Sequence, residues 1–255
     1  MSTTASTTTA RRPWLRAAGA LGADLSFYAV VWTGVGAALL IINLVANTVW
    51  GDLEASIWDG NASIFQYAML GAGIMVVAGY LPVYLTHGIT RRDVTSGALI
   101  ALVGLAVVAA LATTAGYLVE SVVFDVAGWP HVLGGEHEMH IYDSPDQYGL
   151  IFVELFFLYA THAIAGMLIV AALFRLGWVF GSVFLLAGAG VAVGAELALG
   201  SGAAGVLIRD WLDIGAPPVV VGLLIAGGLA VGGALLTRAL LAGVVIESKD
   251  AALWR

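Results

Sequence analysis

The chain has 255 residues, 60% of them hydrophobic and 11% charged, with a formal net charge of −7. A soluble globular chain carries about 25% charged residues, so a mean hydropathy of +0.96 excludes an ordinary water-soluble fold, and the acidic balance argues against a nucleic-acid surface. The absence of cysteine removes disulfides, thiolate catalysis and Cys-based zinc or iron–sulfur ligation.

In chain order, residues 1–10 are almost all Ser, Thr and Ala and read as a disordered tail. Segment 11–24 mixes Arg11, Arg12 and Arg16 with Trp14, Leu15 and Leu21. That is the pattern of a short amphipathic helix lying in a membrane interface, and a plain basic anchor fits the same residues. Six apolar runs follow, at about 27–49, 64–85, 98–124, 148–174, 178–199 and 219–245. A hydrocarbon core roughly 30 Å thick needs ~20 apolar residues at 1.5 Å each, and each run meets that length. Their continuous apolarity predicts helices, since barrel strands alternate. The fold expected is therefore an all-α, six-span polytopic membrane domain over 11–249, with a C-terminal tail at 250–255. The first run is of full spanning length and has no Ala-x-Ala exit, so it is expected to be a span and not a cleaved leader.

Polar residues inside or beside these runs are the candidate functional groups. Asn43 and Asn47 stand one turn apart on the first run and either line a substrate path or clamp a second copy by interhelical hydrogen bonds. Glu120, Glu154 and Glu196 fall within about two turns of outer ends, where snorkelling to headgroup water is the expectation. His162 lies deeper, eight residues beyond Glu154. It either faces a central pathway with Glu154 or hydrogen-bonds a neighbouring helix. The loop over 125–147 holds His131, Glu136, His137, Glu138, His140 and Asp143. His-x-x-His spacing can present two imidazoles to Zn²⁺ or Cu²⁺. Gly134-Gly135 and Ser144-Pro145 around it predict a solvated loop with no resident metal, leaving His131, His137 and His140 as weak candidates.

Orientation follows from the basic residues, which short cytoplasmic segments retain. Arg11, Arg12, Arg16, Arg91, Arg92, Arg175, Arg238, Lys249 and Arg255 fall on one side of the six runs, and only Arg209 on the other. Both termini are therefore expected in the cytoplasm of a cell whose plasma membrane holds the chain. The chain carries no G-x-x-x-x-G-K-S/T phosphate loop, because Gly200-Ser-Gly-Ala-Ala-Gly205 lacks the Lys. It is not expected to bind ATP by that route.

The basic turn between the second and third runs is the most distinctive segment. Tyr84-Leu-Thr-His-Gly-Ile-Thr-Arg-Arg-Asp-Val-Thr-Ser-Gly-Ala98 resembles the G-I/V-S/T-R-R-x-x-x-x-G segment of bacterial permeases of ATP-binding cassette export systems of the second type. Gly166-Met-Leu-Ile-Val-Ala-Ala-Leu-Phe-Arg-Leu-Gly177 is similar to a second feature of that family, a fourth helix ending in Gly…Tyr/Phe-Arg-Phe-Gly. The resemblance implies a coupling helix over 87–94, with His87, Gly88, Ile89, Thr90, Arg91, Arg92 and Asp93 seating on an ATPase subunit. It also implies a connecting helix over 11–24 and a re-entrant segment over 200–218.

On that resemblance the chain is expected to be a non-enzymatic permease subunit. It would pair with a second copy or a paralogue and with two ATPase subunits that carry ATP and Mg²⁺. An amphipathic or lipid-like compound would be moved outward, the surrounding lipid being the only other partner. Two alternatives stay open: an ion-coupled secondary transporter using Glu154, His162 and Glu196, and a membrane protein with an extracytoplasmic His/Glu metal site.

Overall fold

A computed structural model describes residues 13–50, 56–133 and 140–244. These fold into helices, with no strand among the described residues: α1 (Pro13–Trp50), α2 (Ile57–Met75), α3 (Leu81–Thr86), α4 (Arg91–Ala127), α5 (Tyr148–Gly181), α6 (Val183–Leu199), α7 (Ala203–Leu212) and α8 (Val219–Ala242). Four segments are long and apolar enough to cross a membrane: Ile64–Thr86, Arg91–Ala127, Tyr148–Gly181 and Val219–Ala242. The pair α6 and α7, bent by 71°, makes a fifth if it is one broken span. Val108, Leu111, Leu118 and Val122 on α4 and Leu224, Val231 and Leu235 on α8 are exposed, an apolar surface suited to lipid and not to water.

The local chemistry explains the boundaries. Ser56 caps α2 by accepting from the Asp59 amide, and Thr90 caps α4 by accepting from the Asp93 amide at 3.2 Å. The Thr90 hydroxyl also donates to Asp93 Oδ2 at 2.7 Å, so the cap and the first-turn acid hold each other. Replacing a capping Thr by Ala costs typically about 1 kcal/mol. Thr90→Ala is therefore expected to fray the start of α4, which amide hydrogen exchange over residues 90–95 would register as faster exchange there and nowhere else. Between α2 and α3, Val76–Tyr80 forms a π-turn in which Leu81 N–H reaches back to Val76 O. Pro82 follows it and has no amide to continue the usual ladder, which is the physical reason for a π-bulge at this place.

α5 is the hub, packed on α2, α4, α6 and α8, and residues 159–168 are all buried. Its central stretch is mostly apolar because other helices surround it there. It breaks at Gly177, whose φ of 72° and ψ of 177° are non-helical. The expected end of the fourth run at Phe174 and start of the fifth at Trp178 correspond to this break.

Three expectations are corrected. From residue 13 on, the expected interfacial helix and the span over 27–49 are one continuous helix, α1, whose Ala17, Leu21 and Leu25 are buried. The close approach of Gly97 to Ala17, Ala18 and Trp14 holds that end of α1 on α4 and leaves no free amphipathic segment. The third span begins at Arg91 and not at residue 98, because Thr90 starts the helix seven residues earlier. For the same reason no separate short helix lies over 87–94.

Candidate functional site

Polar groups gather at two opposite ends of the bundle. At the basic end, residues 87–90 form a tight turn in which Gly88 has a φ of +80°, a conformation that glycine adopts without steric cost. His87 Nδ1 lies 2.7 Å from Val83 O, and Ile89 N–H donates to Tyr84 O at 3.2 Å. His87, Arg91 and Arg92 are exposed, and Ile89 and Asp93 are half-buried. Arg91 and Arg92 line a groove of about 730 Å³ together with Arg238 from the end of α8. Arg175 on α5 donates to the Gly243 carbonyl, which ties the neighbouring helix ends. Arg91, Arg92 and Arg238, three of the arginines that sequence placed on one side, are thus neighbours in space. Trp14 and Arg16 sit on α1, half-buried and exposed; Arg11 and Arg12 lie outside the described residues, and so do the side chains of Asn43 and Asn47.

The opposite end is built from carboxylates. Glu120, Glu154 and Glu196 are 0%, 1% and 1% exposed, so the expectation that they snorkel to headgroup water is overturned. A buried carboxylate must be paired or hydrogen-bonded to persist, and each of these three faces a histidine. Glu120 on α4 accepts from Ser56 Oγ at 2.5 Å and from the Trp58 amide at 3.0 Å, with His131 Nε2 at 3.2 Å. Glu154 on α5 lies 2.8 Å from His140 Nδ1 and accepts from the Ile141 amide at 2.8 Å. Glu196 on α6 lies 3.1 Å from His162 Nε2 and accepts from Gln66 Nε2 at 3.1 Å and from the Gly205 amide at 2.7 Å.

Asp59 completes the carboxylate cluster. Its Oδ1 accepts from the hydroxyls of Tyr117 and Tyr142 at 2.6 and 3.1 Å and lies 3.4 Å from His140 Nε2. His140 therefore sits between two carboxylates from different helices, and Tyr142 stacks on it with ring centroids 4.4 Å apart. Burial pushes the Tyr142 phenol far above its ordinary value, with Tyr117, Glu154 and Asp59 adding to it, so it stays a donor. This arrangement pins the loop before α5 onto the ends of α2, α4 and α5.

Of the metal candidates, His131 goes to Glu120 and His140 to Glu154 and Asp59, while His137 lies outside the described residues. Among the described residues no group of three or more His, Asp and Glu side chains is placed to hold a metal ion. Of the two readings of His162, the structure shows the hydrogen bond to a neighbouring helix. Sequence reasoning missed Asp59, Gln66, Tyr117 and Tyr142. A signal existed for one of them, because Tyr117 and Glu120 are three residues apart on one helical face; Asp59 and Gln66 read as part of an ordinary loop and run.

Fold and site together define a helical structure with four or five helices long and apolar enough to cross a membrane, consistent with a polytopic α-helical membrane protein, with a buried carboxylate–histidine network at one end and an exposed arginine turn at the other. No protein-family model, curated protein or solved structure matches the chain.

Proposed function

We propose that this chain is the membrane-spanning permease subunit of an ATP-driven exporter, working in the plasma membrane with both termini in the cytoplasm. The observation that carries the reading is the arginine turn: Arg91 and Arg92 are exposed and are held on the first turn of a 37-residue helix by the reciprocal Thr90–Asp93 cap. Arginine side chains dominate many protein interfaces, and a rigid helix transmits displacement where a flexible loop would absorb it. An ATPase subunit gripping this turn would move α4 along its length, and α4 carries Tyr117 and Glu120 into the outer network. The two segments that resemble type-two ATP-binding cassette permeases support the same reading.

With α1 counted as a span and 200–218 as a re-entrant segment, the chain has six spans. Trp211 and Leu207 on α7 are exposed at 81% and 69%, as a helix dipping into the outer leaflet requires. A cavity of about 300 Å³ between α1, α2 and α4, lined by Tyr28, Trp58, Phe65, Met69 and Leu105, suits the apolar part of an amphipathic cargo. A second copy or a paralogue would complete the pathway.

The test is uptake of an amphipathic fluorescent probe into inside-out vesicles that contain the permease and its ATPase. Uptake is expected to require ATP and to be lost in the double variant Arg91→Glu/Arg92→Glu, with the thermal midpoint unchanged because both side chains are exposed. Uptake at the wild-type rate in that variant would remove the coupling role. A second reading, ion-coupled secondary transport, is favoured by the buried His162–Glu196 pair. It predicts probe movement driven by a proton gradient without ATP.

A further inference from the structure

His162 is buried in the middle of α5 and makes two polar contacts. Its Nδ1 lies 2.8 Å from the Leu158 carbonyl and its Nε2 3.1 Å from Glu196 Oε1. A carbonyl oxygen only accepts, so Nδ1 must carry a proton. The contact on the other side then needs one proton of its own. If Nε2 bears it, the ring is an imidazolium and Glu196 a carboxylate. If Nε2 is bare, Glu196 must be the carboxylic acid and donate to it. With neither, two lone pairs would face each other at 3.1 Å in a site that is 1% exposed on both sides. Gln66 and the Gly205 amide donate to Glu196 without supplying the proton that this contact needs.

A second observation concerns how that proton reaches water. A cavity of about 10 Å³ lies between Asp59, His140, Tyr142, Glu154, Leu158, Ser201 and Gly202. That is room for about one water molecule. Ser201 is 3% exposed, lines the cavity, and its Oγ has no hydrogen-bond partner among the described residues. Gly202 also lines the cavity. A Cβ there would stand 2.6 Å from Glu196 Cδ and 2.8 Å from Oε2, so the Glu196 carboxyl lies directly behind Gly202, and only a glycine leaves room between the two. Leu158, another wall residue, is the one whose carbonyl holds His162 Nδ1.

We propose that Glu196 and His162 form a buried one-proton site, loaded from the outer cluster through a water seated at Ser201. The proton passes from His140 or Glu154 to the water and from the water to the Glu196 carboxyl, which shares it with His162 Nε2; no other bond changes. The groups facing the pair from the surrounding helices are few. α2 brings Gln66 and the Tyr67 ring, whose centroid is 5.9 Å from that of His162. α5 brings Glu154 two turns outward. α7 brings the Gly205 amide and, one turn on, the buried Arg209. α8 has no ionisable group before Arg238 at the far end. This inference stands apart from the exporter reading, since an ATP-driven pump and a gradient-driven one could each contain such a site.

The test uses the purified full-length chain in lipid nanodiscs, with nitrogen-labelled histidine for resonance spectroscopy and infrared detection of protonated carboxyls. At neutral pH one of two signatures is expected: an imidazolium at His162, or a neutral Nδ1–H ring together with a protonated carboxyl band. Glu196→Gln, which keeps the shape and the hydrogen bond, should abolish whichever is present. A neutral His162 in the wild type, with no carboxyl band lost in Glu196→Gln, overturns the site. For the route, deuterium exchange of the same signal should slow about tenfold in Ser201→Ala, which removes one partner of the water, and further in Ser201→Val, which fills the cavity. Exchange at the wild-type rate in whichever of these variants folds overturns the route through Ser201.

Discussion

Gly166→Ala is expected to destabilise the protein by ~3 kcal/mol or more, the upper end of what overpacking a close helix crossing costs. α2 and α5 approach through a reciprocal pair of glycines. A Cβ on Gly166 would lie 2.1 Å from Leu70 O, and one on Gly73 would lie 2.0 Å from Ala163 O. Both obstacles are backbone, so no side chain can rotate away, and the helices would have to separate. Separation would pull apart the hydrogen bonds that Gln66 on α2 and His162 on α5 make to Glu196, coupling the crossing to the buried network. Such small-residue contacts are the usual means by which membrane helices come close. Gly104→Ala is the control, since nothing lies within 4 Å of its added carbon. The thermal midpoint in a mild detergent should fall sharply for Gly166→Ala and hold for Gly104→Ala. Equal midpoints would show that α2 and α5 do not cross at these residues.

Asp59→Ala should cost ~3–5 kcal/mol, the penalty for removing one member of a buried charged cluster. Asp59 is 2% exposed, and its carboxylate answers two tyrosine hydroxyls and faces His140. Tyr142 cannot relieve the loss by ionising, because its burial holds the phenol protonated. Asp59→Asn retains one acceptor oxygen and should lose less. The damage should appear first at the loop before α5, whose Tyr142 and His140 are held there. Faster protease cleavage around residues 141–147 than in the wild type, with the helices still intact by circular dichroism, is the expected result. Unchanged cleavage would mean that the loop is fastened elsewhere.

Much of the architecture was legible because the hydrocarbon core imposes a length on every apolar run. Runs two, three, four and six each correspond to a helix of the structure, and Gly177 ends the fourth where the sequence placed its end. The errors are physical ones. The Thr90–Asp93 pair is a strong helix start, yet the apolar run placed the third span only from about residue 98, and the family resemblance implied a separate coupling helix over 87–94. The glutamates were the larger miss. Their positions near the ends of runs are compatible with snorkelling, and only the tertiary arrangement brings His131, His140 and His162 to them from 11, 14 and 34 residues away. Periodicity reports which face of a helix is apolar, but not which distant polar group meets it. Asp59 and Gln66 were invisible for the same reason, since their partners come from α4, α6 and the loop before α5.

The most direct measurement is gentle purification of the tagged chain from its own membrane, with identification of what accompanies it and an assay of ATP hydrolysis on the product. A nucleotide-binding subunit that co-purifies in equal amount, hydrolyses ATP, and is lost in Arg91→Glu/Arg92→Glu is the predicted result. A chain that purifies with no ATPase, or one whose ATPase stays bound and active when both arginines are reversed, would contradict it.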